Sequence, residues 1–121
     1  DLHNNVSSGL HIAALAGAWM DCVAGFGGMR DFGGHITFAP RLPPRLTYMS
    51  FRMTVRDSKI VVAVDKQTAT YRLLSGPKID LSHHGEKFTL TDEHPVTKDI
   101  AEIEHREPPK APVGCEPYHR D

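Results

Sequence analysis

The chain has 121 residues, of which 40% are hydrophobic and 24% charged, and its formal net charge is −1. That length allows one domain, or one small domain with an appended piece, and the composition is that of an ordinary soluble protein. So even a charge balance leaves no electrostatic footprint for nucleic acid or for an anionic membrane surface.

The first predicted element is a helix. Ser7 and Ser8 are N-cap candidates, because a serine hydroxyl can accept a bond from an otherwise orphaned helix N–H. The helix is expected from about Gly9 to about Ala24, with Gly25 or Gly27 ending it in the left-handed conformation. Its side chains are apolar on every face: Leu10, Ile12, Leu15, Trp19 and Val23 are interrupted only by His11 and Asp21. A helix of that kind is enclosed rather than laid on a surface. The run is shorter than the ~20 apolar residues of a membrane span, and no basic segment precedes it as in a signal peptide. Cys22 and Cys115 lie too far apart to suggest a disulfide framework, which fits a reducing, cytoplasmic setting.

From Gly33 the apolar period changes to two. HITFAP reads as a short strand stopped by Pro40, and RLPPR (Arg41 to Arg45) as a rigid connector. In TYMSFRMTV, Met49, Phe51, Met53 and Val55 are expected to face one way, and Tyr48, Ser50, Arg52 and Thr54 the other. The turns RDSK, KQT, SGP and HGEK separate the further strands IVVAVD, ATYRLL, KIDLSH and FTLT. The fold class expected is therefore mainly β: a small antiparallel meander closed as a sandwich, preceded by one buried helix. The residues after Thr91 are charged and include five prolines, and they read as an extended tail with room for a helical turn over 97–105. The sheet could cover only one side of the leading helix. The other side requires helices that this chain does not contain, from the remainder of a larger protein or from a partner.

The blocks SSGLHIAALAGAW, GFGGMRD, ITFAPRLP, LTYMSFRMTVR and HHGE, in that order, resemble the C-terminal end of glycoside hydrolase family 65. That family includes maltose, trehalose and kojibiose phosphorylases and acid trehalases. The resemblance runs from about Ser7 to Thr91. It implies residues 1–32 as the last helix and exit loop of an (α/α)6 barrel and 33–91 as the C-terminal β-sandwich. It does not cover 92–121, which composition alone reads as a polar, proline-rich tail. It also implies inverting cleavage of an α-glucosidic bond, in which a glutamic acid protonates the leaving oxygen and phosphate or water attacks the opposite face. The acid would lie upstream of this segment, so the chain alone is expected to be inactive. No catalytic residue, metal ligand or cofactor is expected in it, with inorganic phosphate as a co-substrate. The partners implied are the remaining barrel, a disaccharide of the trehalose or maltose type, and a second copy of the chain.

By the same resemblance, His11 belongs to the phosphate site, with Ser7, Ser8 and Gly9 offering hydroxyl and backbone donors. The physics agrees: a helix N-terminus carries free N–H groups and the positive end of the macrodipole. His11 is expected to gain a proton as phosphate binds. Other features read as structural. GFGG and DFGG follow a helix rather than precede one, so they are stops and turns rather than nucleotide loops. Arg30 and Asp31 suggest an ion pair pinning the exit turn. His83 and His84 read as solvated turn residues, and as strand neighbours they point apart. Asp57, Asp65 and Glu86 sit at turns without a buried partner. The alternative to the enzyme reading is a structural or carbohydrate-binding module, for which only Tyr48 and Tyr71 are expected to face outward.

Overall fold

A computed structural model of the protein describes residues 11–102, together with Ser7, Gly9, Pro112 and Gly114. Ser8 and most of the expected tail, including residues 103–105 of the proposed helical turn, lie outside the described residues.

The leading helix α1 spans Ile12–Met20 and passes into a π-helical turn, Asp21–Phe26. It therefore starts later than the serines suggest, with His11 as the N-cap in extended geometry. It also ends differently. Gly27 follows the π-turn in right-handed geometry, and Gly28, at φ +59°, takes the left-handed position. A Cβ at Gly28 would collide with the backbone of Ala39, so the chain can cross there only without a side chain.

Among the described residues eight strands follow: β1 Arg30–Phe32, β2 His35–Phe38, β3 Tyr48–Val55, β4 Ser58–Asp65, β5 Thr68–Ser75, β6 Ile79–His83, β7 Glu86–Leu90 and β8 Val96–Asp99. They form two four-stranded sheets, ordered β1-β2-β6-β7 and β3-β4-β5-β8. Strands β3, β4 and β5 are the expected meander, with Phe51 opposite Val62 and Val62 opposite Tyr71. The other sheet is not a meander. Strand β2 pairs with β6 in parallel, Ile36 beside Leu81, because the chain builds three strands of the second sheet before returning to the first.

The two sheets bury one core between them. Ile36, Phe38, Leu81 and Leu90 come from one sheet, and Met49, Phe51, Ile60, Val62, Val64, Tyr71 and Leu73 from the other. Phe38 carries the contact, its ring centroid 5.4 Å from Tyr71 and 6.3 Å from Phe51. Val23, in the π-turn, is fully buried in the same core. On β3 the expected stripe faces inward, with Met49, Phe51 and Val55 buried and Met53 half-buried.

Two expectations about the ends of the sandwich are corrected. The sheet begins at Arg30, ahead of Gly33, and it continues into β8, where a tail with a helical turn was expected. Val96 and Lys98 sit opposite Tyr71 and Ala69 of β5, so the polar segment is held as an edge strand by a neighbour distant in sequence. Lys98 also pairs with Glu86 of β7 at 2.7 Å, joining the two sheets at that end.

Candidate functional site

The N-terminal end of α1 holds the described members of the expected site. His11 is exposed, and its side chain makes no capping bond to the helix. Its carbonyl accepts the N–H of Leu15 at 3.1 Å, which closes the first turn, and the earlier N–H groups of that turn have no partner among the described residues. Gly9 is at φ +78°, a Cβ there would meet nothing within 4 Å among the described residues, and Ser7 is exposed. Ser8 falls outside the described residues. His11 is therefore the N-cap residue rather than a member of the first turn.

What carries this end is unusual. None of the nine residues of α1 is buried, and Ile12 (81%), Leu15 (54%), Met20 (53%) and Trp19 (45%) present their apolar area outward. The expectation that the sheet would cover one side of the helix is corrected, because the sandwich covers neither side. The helix projects from it, attached through the π-turn.

Arg30 and Asp31 do not pair. As strand neighbours they point to opposite faces. Arg30 Nη1 donates to the carbonyls of Ala24 (2.6 Å) and Met29 (2.7 Å), closing off the helix exit, while Asp31 Oδ1 accepts the N–H of Gly34 at 2.7 Å. Sequence reasoning missed this clamp. The only available signal was an arginine shortly after a helix stop, a position where a cation can meet free carbonyls.

The reading of His83 is also corrected. It is 3% exposed and lies between the sheets, and only His84 occupies the turn, at φ +46° ahead of Gly85 at φ +86°. His83 Nε2 lies 2.9 Å from the Asp99 carbonyl, which can only accept, so this nitrogen carries the proton. Nδ1 then accepts from the Tyr71 hydroxyl at 2.7 Å. Burial lowers the pKa of His83, as do His84 and Lys98 nearby, against opposing effects of the Asp99 carbonyl and Glu86. Burial pushes the Tyr71 hydroxyl well above its ordinary range. The pair is a neutral inter-sheet link. Tyr71 therefore faces inward, contrary to expectation, which leaves Tyr48 alone of the two tyrosines that a carbohydrate-binding face would use.

A cleft of about 360 Å³ lies beside β2 and β6, lined by His35, Arg56, Asp57, Lys78 and Asp80 among others. Its polar groups are largely engaged within the chain. His35 bonds Ser82 at 2.8 Å, Arg56 donates to the Gly34 carbonyl at 2.8 Å, and Asp80 accepts from Thr89 at 2.5 Å. Asp65 is likewise occupied, accepting the N–H groups of Gln67 and Thr68, which lower its pKa. Among the described residues, no group of three or more His, Cys, Asp or Glu side chains could hold a metal. No described helix is long and apolar enough to cross a membrane.

Residues 29–90 match the model of the glycosyl hydrolase family 65 C-terminal domain. The chain belongs to glycosyl hydrolase family 65. Across the family it is 38% identical over 123 residues to an uncharacterised glycosyl hydrolase of Mycobacterium leprae, covering 99% of this chain and 16% of that protein. It is 37% identical to the alpha,alpha-trehalose phosphorylase of Thermoanaerobacter brockii, over 74% of this chain and 12% of the relative. It is 32% identical to the maltose phosphorylase of Bacillus subtilis, over 73% of this chain and 12% of the relative. A solved structure from the human microbiome, provisionally named kojibiose phosphorylase, superposes with a TM-score of 0.75 at 25% identity, covering 86% of this chain and 15% of that one. The chain thus spans less than a fifth of the length of each of these family 65 relatives.

Proposed function

We propose that this chain is the C-terminal part of an inverting family 65 disaccharide phosphorylase or hydrolase acting on an α-glucosidic bond of the trehalose or maltose type. In this reading α1 is one helix of the catalytic barrel, the sandwich braces that barrel, and the helix start contributes to the site where phosphate or water attacks. The observation that carries the proposal is the projecting helix. An apolar helix with no buried residue begins at an exposed N-cap histidine, in a chain similar to a trehalose phosphorylase over nearly three quarters of its length.

The chemistry follows from that placement. A phosphate would meet the backbone donors of the first turn, the positive end of the helix dipole and the imidazole of His11, with Ser7, Ser8 and Gly9 adding hydroxyl and backbone donors. Protonation of His11 would add a charge-assisted bond to the bound anion. The glutamic acid that protonates the leaving oxygen is supplied by the rest of the barrel, with the sugar held between the two.

In the whole enzyme, His11→Ala is expected to raise the apparent phosphate constant at least tenfold, while the sugar constant changes far less. Equal changes in both would count against the assignment. The isolated chain should not turn over disaccharide with phosphate. Turnover by it would overturn the reading outright.

A further inference from the structure

We propose that the π-turn Asp21–Phe26 sets the rotation of α1 on the sandwich, and that Arg30 is the positioning residue that keeps the turn closed. The consequence for catalysis rests on the phosphate reading above; the consequence for helix orientation does not.

The Gly27 N–H donates to the Cys22 carbonyl at 2.8 Å, a bond spanning five residues where an α-helix spans four. The turn therefore holds one residue more than an α-helix would. Removing it would rotate everything upstream by about 100° and shift it by about 1.5 Å. His11 lies ten residues ahead of the turn, about 15 Å along the axis, so it would be carried round to another face. No residue of α1 is buried against the sandwich, so this turn is its attachment there, and in the whole enzyme it fixes the rotation with which α1 enters the barrel.

The turn is fixed from several sides. Val23 sits in the core, its carbonyl accepts the Met29 N–H at 3.1 Å, and the Phe26 carbonyl accepts the Arg41 N–H at 2.8 Å. Gly27 packs so closely that a Cβ there would come within 3.0 Å of the Phe51 ring. Within the turn, the Ala24 carbonyl receives a side-chain donor, the guanidinium of Arg30. Arg30 is held in turn by β1, where it pairs with Thr37 of β2. The guanidinium thus ties the helix exit to the sheet, on a scaffold whose other end carries the imidazole.

The test compares Arg30→Gln and Arg30→Lys in the whole enzyme, alone and combined with His11→Ala. Arg30→Gln should raise the apparent phosphate constant about tenfold with the sugar constant nearly unchanged, since small misplacements of a positioned group weaken it strongly. Arg30→Lys, which keeps a charged donor, should recover most of that loss. With His11 already replaced, Arg30→Gln should add little, the non-additivity expected of a residue acting through another. Phosphate and sugar constants rising together, additive losses, or no recovery by lysine would overturn the catalytic consequence. Hydrogen exchange reads the clamp without reference to phosphate: the Gly27 and Met29 amides should exchange at least tenfold faster in Arg30→Gln than in Arg30→Lys. Unchanged protection would overturn the clamp, even if His11→Ala alone had left the phosphate constant unmoved and so removed the phosphate reading.

Discussion

The residue that most clearly separates local pattern from tertiary context is His83. In sequence it is half of a histidine pair beside a glycine, and a solvated turn is the natural reading. In the fold, one of the pair makes the turn and the other is enclosed with both ring nitrogens bonded, to Tyr71 and to the Asp99 carbonyl. Its pKa is lowered in the folded state, mainly by burial. The unfolded chain therefore takes up a proton at this position near pH 6.5 that the folded chain resists. The stability linked to His83 is complete above that pH and is lost as pH falls toward the lower folded value, by at most about 1.4 kcal/mol per pH unit. Urea titrations from pH 7.5 to 5 should show this slope in the parent and a flatter one in His83→Gln, whose amide can also donate and accept. Equal slopes would assign the acid sensitivity to other groups. Tyr71→Phe should destabilise the fold by about 1–3 kcal/mol at pH 7.5, because it leaves a buried acceptor without its donor.

At the level of elements, the strands from β2 to β5 follow from alternation and turn residues, because each has one face in the core and one turned away. On β6, by contrast, Leu81, Ser82 and His83 are buried in succession. β8 does not follow from its own residues either. Val96–Asp99 has little to bury, follows a proline and is polar, yet it is paired along β5 and joined to β7 by Lys98 and Glu86. Its pairing is decided by an available edge rather than by its own composition. The helix exit was equally hard to read. Several glycines mark a stop, but which one takes the left-handed angle depends on where the chain crosses Ala39. Gly28→Ala should cost more than about 1–2 kcal/mol, since a left-handed angle alone carries that penalty for a residue with a side chain. A thermal melt of that variant, compared with Gly85→Ala in the open β6–β7 turn, separates strain from collision. Gly28→Ala should melt lower.

For the whole molecule, the balance of buried and exposed apolar surface is uneven. The sandwich closes its core, whereas α1 leaves Ile12, Leu15, Trp19 and Met20 outward. Exposed apolar patches of this kind mark interaction surfaces. The chain on its own should self-associate, and the double substitution Leu15→Glu, Trp19→Glu should shift it toward a monomer in gel filtration. Because neither side chain touches the sandwich core, the urea midpoint should move by less than about 0.5 kcal/mol equivalent. In the whole enzyme the same pair should abolish folding or activity, since there the helix is to be enclosed. A soluble, active enzyme carrying both glutamates would remove α1 from the barrel.

The sequence by itself determined the two-part character of this protein: a helix without a polar face, then a half-buried alternation that can only close as a sandwich. Those features arise from side chains repeating along one segment, so they are legible in that segment. The helix start was not legible in this way: the serines suggest a cap at Ser7 or Ser8, whereas the helix begins at Ile12 with His11 as its N-cap. Tertiary structure decided what depends on meetings across the chain. It placed β2 parallel to β6, recruited β8 as an edge strand, turned Tyr71 inward onto His83, and set Arg30 on the helix exit instead of on Asp31. Each depends on partners brought together from distant positions, and local periodicity carries no record of which partner will be there.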